Sequence, residues 1–186
     1  MPLSPHAKRR EVHHRVIDMK AYEREDGLYD IEAQLVDRKP FAAEIFGLSH
    51  PVPAGQPRHD LWLRLTVDDR FVVRGIEASS DVTPYNVCKE AESTLGSIIG
   101  LQIASGWSTK VKQRLRGSAS CTHLMEMLIP LATAAYQGIG GLNPEKKRAA
   151  LDEHGVPRKL DSCYAYGRST DVVAMLWPEH FRPRTG

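Results

Sequence analysis

Tyr22-Glu-Arg-Glu-Asp-Gly-Leu-Tyr-Asp-Ile-Glu-Ala-Gln-Leu-Val-Asp-Arg-Lys-Pro40 alternates like a β-strand, yet it places acids where an ordinary surface strand accepts any polar residue. With a side-chain period of two, Tyr29, Ile31, Ala33 and Leu35 point to one side of the pleat and Asp30, Glu32 and Gln34 to the other. Asp26-Gly27 supplies the positive-φ position of a tight hairpin, so the segment from about Val16 to Glu23 is expected as the partner strand. The shared face of Asp30 and Glu32 has two readings. One is a general base or hard metal ligand, with Asp26, Asp37 and Lys39 nearby. The other is a polar sheet face whose acids pair with arginines such as Arg15 or Arg24 on the neighbouring strand.

Pro40 to Ile45 is expected to open a short helix, and the proline- and glycine-rich run Gly47 to Pro57 is a loop. Leu61, Leu63, Leu65 and Val67 alternate with Trp62, Arg64 and Thr66, which predicts a strand from about His59 to Val67 with His59 on the face of Leu61 and Leu63. Asp68-Asp69-Arg70 turns it into a second strand from Phe71 to Ala78. Thr83 and Pro84 read as N-cap and first position of a helix carrying Cys88, Ala91, Leu95 and Ile98 at helical spacing. Ser108 or Thr109 is expected to cap a basic helix ending near Leu115, and Gly117 to terminate it. Ser118 or Ser120 then caps a longer apolar helix to about Tyr136, kinked at Pro130. After Gly138-Ile-Gly-Gly141 the chain is polar through Arg158, and Leu160 to Tyr166 and Val172 to Trp177 read as short strands or a docked tail.

The expected fold class is α+β: an antiparallel sheet of two hairpins covered on one face by helices. A chain of 186 residues, 41% hydrophobic and 26% charged, has material for one core, giving a single domain with a basic arm at residues 1–15, a core at 16–137 and a C-terminal extension at 138–186 that packs on it. A formal charge of +2 does not by itself argue for nucleic acid. The basic arm of Lys8, Arg9, Arg10, His13, His14 and Arg15 lacks the interleaved aromatics of a single-strand stacking platform, so nucleic-acid binding ranks last. Three cysteines without paired spacing and no apolar leader point to a reducing cytoplasm. The longest apolar stretch, Leu124 to Tyr136, is too short and too interrupted to cross a bilayer.

Cysteine chemistry is the other lead. Cys121 and His123 stand at a helix start, where unpaired amides lower a thiol's pKa, although residues two apart on a helix diverge by about 200° beyond its first turn. Each cysteine also reads as a small buried hydrophobe. With no CxxC pair present, a metal site has to be assembled from distant segments: His59, Cys88 and Cys121, with His123 a further ligand. No phosphate-cradling glycine loop, zincin helix or nucleophile elbow appears.

His14-Arg15, Tyr22-x-Arg24-x-Asp26-Gly-Leu-x-Asp30-Ile-Glu-Ala33, Asp37 and Lys39 resemble the N-terminal signature of the bacterial domain-of-unknown-function family 2889. His59-Asp-x-Trp62-x-Arg64, Pro84-Tyr-x-x-Cys88, Gly117-x-x-x-Cys121-Thr-His-Leu124 and Leu160-Asp-Ser-Cys163 extend the resemblance over nearly the whole chain. It implies a compact bacterial cytoplasmic protein linked to small-molecule catabolism. The middle segment also resembles iron–sulfur scaffold proteins of the IscU or NifU type: a strand pair, then helix starts bearing Cys88 and Cys121. It departs from them in having His59 near the place of their first cysteine and Ser120 where they carry a histidine.

Two functions are therefore expected. The first is a small-molecule enzyme, a lyase or hydrolase acting on a small carbonyl, carboxylate or aromatic compound in a pocket between sheet and helix starts. Asp30, Glu32, Cys121 and His123 are its catalytic candidates, Arg24, Lys39 and Tyr29 its substrate-binding candidates, and His59, Cys88 and Cys121 its ligands for one zinc or iron ion. The second is a metal or iron–sulfur carrier on the same scaffold, with a cluster ranking behind a single ion. A homo-oligomer fits either.

Overall fold

A computed structural model describes residues 4–142 and 151–184. It has two compact units, residues 1–139 and 140–186. The first holds a four-stranded antiparallel sheet in the order β1-β2-β3-β4, with β1 at His14–Glu23, β2 at Tyr29–Arg38, β3 at Pro57–Val67 and β4 at Val73–Val82. Helices α1 (Trp107–Leu115) and α2 (Thr122–Leu142) follow. The expected α+β architecture of two hairpins and helices is therefore observed.

Alternation decides which face is buried. Ile31, Ala33 and Leu35 of β2 and Leu61, Leu63 and Leu65 of β3 form one core with Leu124, Leu128 and Leu131 of α2. The opposite face carries cross-strand rows such as Lys20–Glu32–Arg64–Glu77, in which charge alternates from strand to strand. The first hairpin closes at Gly27 (φ 79°), with the Arg24 amide donating to the Leu28 carbonyl over 2.9 Å. In the second, Asp68 accepts the amides of Arg70 and Val72, each at 2.9 Å, and stabilises Phe71 at φ 62°. This turn takes Phe71 out of the strand that the alternation assigns to it.

Several local expectations are corrected. Pro40 to Ile45 forms no helix; Ala43 instead makes an isolated antiparallel bridge to Val52. The stretch after Pro84 is a 3-10 segment, Asn86–Ile98, and Thr83 does not cap it, since its hydroxyl donates to the Tyr85 carbonyl. Ser93 and Thr94 donate their hydroxyls to the carbonyls three residues back, a local bonding pattern that competes with α-helical geometry. Helix α1 begins earlier than expected, after Gly106 (φ 81°), because Trp107 is buried and its indole donates to the Leu128 carbonyl at 2.9 Å. Neither Ser118 nor Ser120 caps α2; Cys121 takes that position, its carbonyl accepting the Met125 amide at 3.0 Å, and the helix continues to Leu142 with Pro130 inside it.

The second unit has its own small cluster, Leu160, Val173 and Trp177. The strands expected there are absent among the described residues. Tyr164–Tyr166 is a 3-10 turn and Asp171–Leu176 is helix α3, capped by Thr170, whose hydroxyl accepts the Val173 amide. Residues 143–150 of the polar stretch lie outside the described residues. No described helix is long and apolar enough to cross a membrane.

Candidate functional site

One row of the sheet breaks the apolar pattern of the helix-facing side. Arg15, Asp37 and His59 are successive cross-strand partners on β1, β2 and β3. Asp37 has the parity of Ile31, Ala33 and Leu35 and is 2% exposed, so its charge requires partners. Arg15 supplies a bidentate pair, Nε to Oδ1 at 2.7 Å and Nη2 to Oδ2 at 2.8 Å. His59 Nδ1 lies 3.0 Å from Oδ2 and His13 Nε2 lies 3.2 Å from Oδ1. Burial pushes the Asp37 carboxyl up, but the Arg15 hydrogen bonds and charge, with the two imidazoles, outweigh it and hold the pKa at about 2.

His59 then faces His123 on the first turn of α2, with ring centroids 4.1 Å apart. Burial lowers the His59 pKa most, and His123 lowers it further; Asp37 opposes both without reversing the shift. The ring is therefore neutral near pH 7. Because Nδ1 faces the carboxylate, the neutral tautomer carries its proton there and leaves Nε2 with a free lone pair.

Cys121 closes the group. As the residue capping α2, it sits where the first-turn constraint on a Cys-x-His pair is relaxed, and its Sγ lies 3.9 Å from His123 Nδ1. Burial raises the thiol pKa, whereas the His123 side chain and the amides of Leu124 and His123 lower it, and the net shift is downward. Thr94 Oγ1 and Ser120 Oγ share a hydrogen bond of 2.7 Å, joining the 3-10 segment of Cys88 to the residue before Cys121. A cavity of about 200 Å³ opens between these elements, lined by His59, Cys88, Cys121 and His123 together with Ser80, Tyr85 and other residues. Ligand atoms of Asp37, His59 and His123 lie within 4.8 Å of one another, and these three residues could hold a metal ion.

The sequence-derived candidates divide by sheet face. His59, Cys88, Cys121 and His123 converge on the cavity. Asp30 and Glu32 lie on the opposite face, where Asp30 accepts the Thr66 hydroxyl at 2.6 Å and Glu32 accepts Arg64 Nε at 2.8 Å. Arg24 is engaged by Asp26 and Asp30, and Lys39 donates to the Val12 carbonyl, so neither lines the cavity. Tyr29 packs against the core. Cys163 is exposed in the second unit. Asp37, expected only as a neighbour of the acidic pair, belongs to the site together with Arg15 and His13. Its signal was a carboxylate at an odd position of β2, the side otherwise committed to burial.

The family described as "Protein of unknown function (DUF2889)" matches residues 13–137, more than half of the chain, so the chain belongs to that family. The match begins at His13 and contains every residue of the cavity group, whereas Leu160-Asp-Ser-Cys163 falls outside it. No curated protein and no solved structure matches the chain, and the resemblance to iron–sulfur scaffold proteins has no counterpart in these comparisons.

Proposed function

We propose that this protein is a metal-dependent enzyme of lyase or hydrolase type acting on a small, largely apolar carbonyl compound. The observation that supports this reading most is the convergence of a neutral His59, His123 and the low-pKa thiol Cys121 on one cavity, with His59 oriented by Asp37. Asp37 already receives Arg15 and His59, so it serves as the orienting carboxylate of a carboxylate–histidine–metal arrangement. Of the group Asp37, His59 and His123, the two imidazoles are the ligands; Cys121, outside that group but with its Sγ 3.9 Å from His123 Nδ1, is the third, and Cys88 lines the cavity wall. Three protein ligands leave a position for water or a substrate carbonyl, the arrangement of catalytic rather than structural zinc sites.

The lining suggests the substrate class. Leu61, Pro84 and Tyr85 supply apolar and aromatic contact, Ser80 and Thr83 supply hydroxyls, and no lysine or arginine lines the cavity. A polyanion such as a nucleotide is therefore disfavoured, and a volume of about 200 Å³ suits a compound smaller than a drug-sized ligand. Bound metal would polarise the carbonyl, while Asp37 would hold the proton-bearing Nδ1 side of His59 in place.

Cobalt(II) substitution tests the reading. Wild-type protein should give a near-ultraviolet thiolate-to-cobalt charge-transfer band that is lost in Cys121→Ser and visible ligand-field bands that shift in His59→Ala, and small-carbonyl turnover should be lost in both but kept in Glu32→Gln. Turnover lost in correctly folded Glu32→Gln and kept in His59→Ala would move the chemistry to the opposite face.

A carrier role is the second reading, favoured by one observation: His59, Cys88 and Cys121, the set implied by the scaffold resemblance, line the same cavity. It predicts a sulfide-to-iron absorption after anaerobic reconstitution that disappears in the Cys88→Ser, Cys121→Ser double variant. An unchanged spectrum in that variant would remove this reading.

A further inference from the structure

Strand β1 is a sheet edge, and its outer side pairs with no strand among the described residues. Its ten residues run in unbroken register with β2, without the shifts that interrupt the β2–β3 and β3–β4 pairs. It lacks proline and bulge, two common protections of an exposed edge. The other edge is treated differently. At the start of β4, the Val73 amide donates to Leu101 and the Gly100 amide to Val73, so a following segment occupies the outer side. Strand β1 also leaves Val16, Ile17 and Tyr22 at least 40% exposed.

We propose that β1 pairs antiparallel with β1 of a second copy of this chain, about a two-fold axis at Met19, giving one continuous eight-stranded sheet. The sequence is self-complementary in that register. Asp18 then opposes Lys20 of the second copy, Ile17 opposes Ala21, Val16 opposes Tyr22 and Arg15 opposes Glu23. Antiparallel partners directly across from each other share a face, so a two-fold axis normal to the sheet must fall on a residue rather than between two. The neighbouring choices are worse: an axis at Asp18 sets two aspartates opposite each other, and one at Lys20 sets two lysines opposite each other. Axes further along the strand shorten the pairing. The Met19 and Asp18 axes pair equally long stretches of His14–Glu23, so the charges decide between them in favour of Met19.

The exposed face supports the same register. The row Glu77–Arg64–Glu32–Lys20 alternates in sign and ends at the β1 edge on a cation. With the axis at Met19, the next position in the row is Asp18 of the second copy, so the alternation continues across the interface. Within one chain Lys20 Nζ already lies 2.8 Å from Asp18 Oδ2, with both side chains more than half exposed. In the dimer each of these charges gains an opposite neighbour on the facing strand. The helix-facing sides of both copies also remain on one side of the joined sheet.

Sedimentation velocity of the full chain over a wide concentration range tests the inference, with charge reversal as the control. Wild-type protein should reach dimer mass. Asp18→Lys sets lysines opposite each other at two symmetric places and should weaken association by roughly tenfold or more. The double variant Asp18→Lys, Lys20→Asp restores opposite signs and should restore dimerisation, and all three proteins should share one circular-dichroism spectrum, since both positions are exposed. A wild-type protein that stays monomeric at every concentration overturns the proposal. So does a dimer whose affinity is the same in Asp18→Lys.

Discussion

Asp37 and His59 face each other across β2 and β3, with His59 Nδ1 3.0 Å from Asp37 Oδ2, on the side of the sheet that otherwise packs Ile31, Leu35, Leu61 and Leu65 into the core. A charge at that depth orders what lies around it. It draws Arg15 in from the edge strand, sets the tautomer of His59, and through that ring fixes what His123 and Cys121 meet at the start of α2.

Asp37→Asn keeps the shape but removes the charge that Arg15 and His59 address. The loss in urea-derived stability should be about 2–3 kcal/mol, less than for a fully buried pair because Arg15 is one-third exposed. Metal affinity should fall by about tenfold to a hundredfold, as for other carboxylates behind a liganding histidine. Equilibrium unfolding and competitive metal titration read the two effects separately.

Acid should destabilise the protein in two stages. Asp37 titrates at about 2 in the folded chain and near 3.9 unfolded, so its contribution of about 2 kcal/mol is present above pH 3.9 and is lost as pH falls toward 2. His59 is also depressed, and for it the charged form is the disfavoured one. The unfolded chain takes up this proton more readily as pH falls below about 6.5, so stability declines there too. Urea midpoints measured from pH 7.5 downward should show both stages, and His59→Gln should flatten the upper one.

Cys121 should be alkylated by iodoacetamide with a pH midpoint below that of an ordinary thiol, and His123→Ala should raise that midpoint. Peptide mass spectrometry separates its modification from that of Cys88 and Cys163. A Cys121 midpoint at or above that of an ordinary thiol would contradict the site geometry.

Gly138 in α2 meets β1 closely: a Cβ added there would lie 2.6 Å from the Ala21 Cβ. Glycine to alanine in a helix ordinarily stabilises by up to about 1 kcal/mol. Here overpacking should reverse the sign, with Gly138→Ala costing about 1–2 kcal/mol in thermal or urea unfolding. Ala21→Gly in the same chain should recover most of it.

Period-two alternation around Tyr29 to Leu35 and Leu61 to Val67 was sufficient to read both hairpins and the α+β class, because burial on one face forces that pattern. Alternation alone does not locate the site. Asp30 and Glu32 attracted notice as paired acids, but on an exposed face such acids find arginines and threonines, as these do. The informative acid was Asp37, whose parity buries it, and its partners Arg15 and His59 are distant in sequence and adjacent only through strand register. The grouping of Cys88 with Cys121 is expected from residue chemistry and the scaffold resemblance, whereas the 3-10 form of the segment that carries Cys88 is not written in apolar spacing. The start of α2 was misplaced for a related reason. Serines were expected to cap it, and a cysteine does.

Elemental analysis of protein purified without chelator or metal-affinity tag, beside His59→Ala, His123→Ala and Cys121→Ser, tests the proposed metal centre most directly. The account predicts close to one zinc or iron per chain in the wild type and its loss in each folded variant. A wild type that binds no metal even after titration, or variants that keep it, would contradict the account.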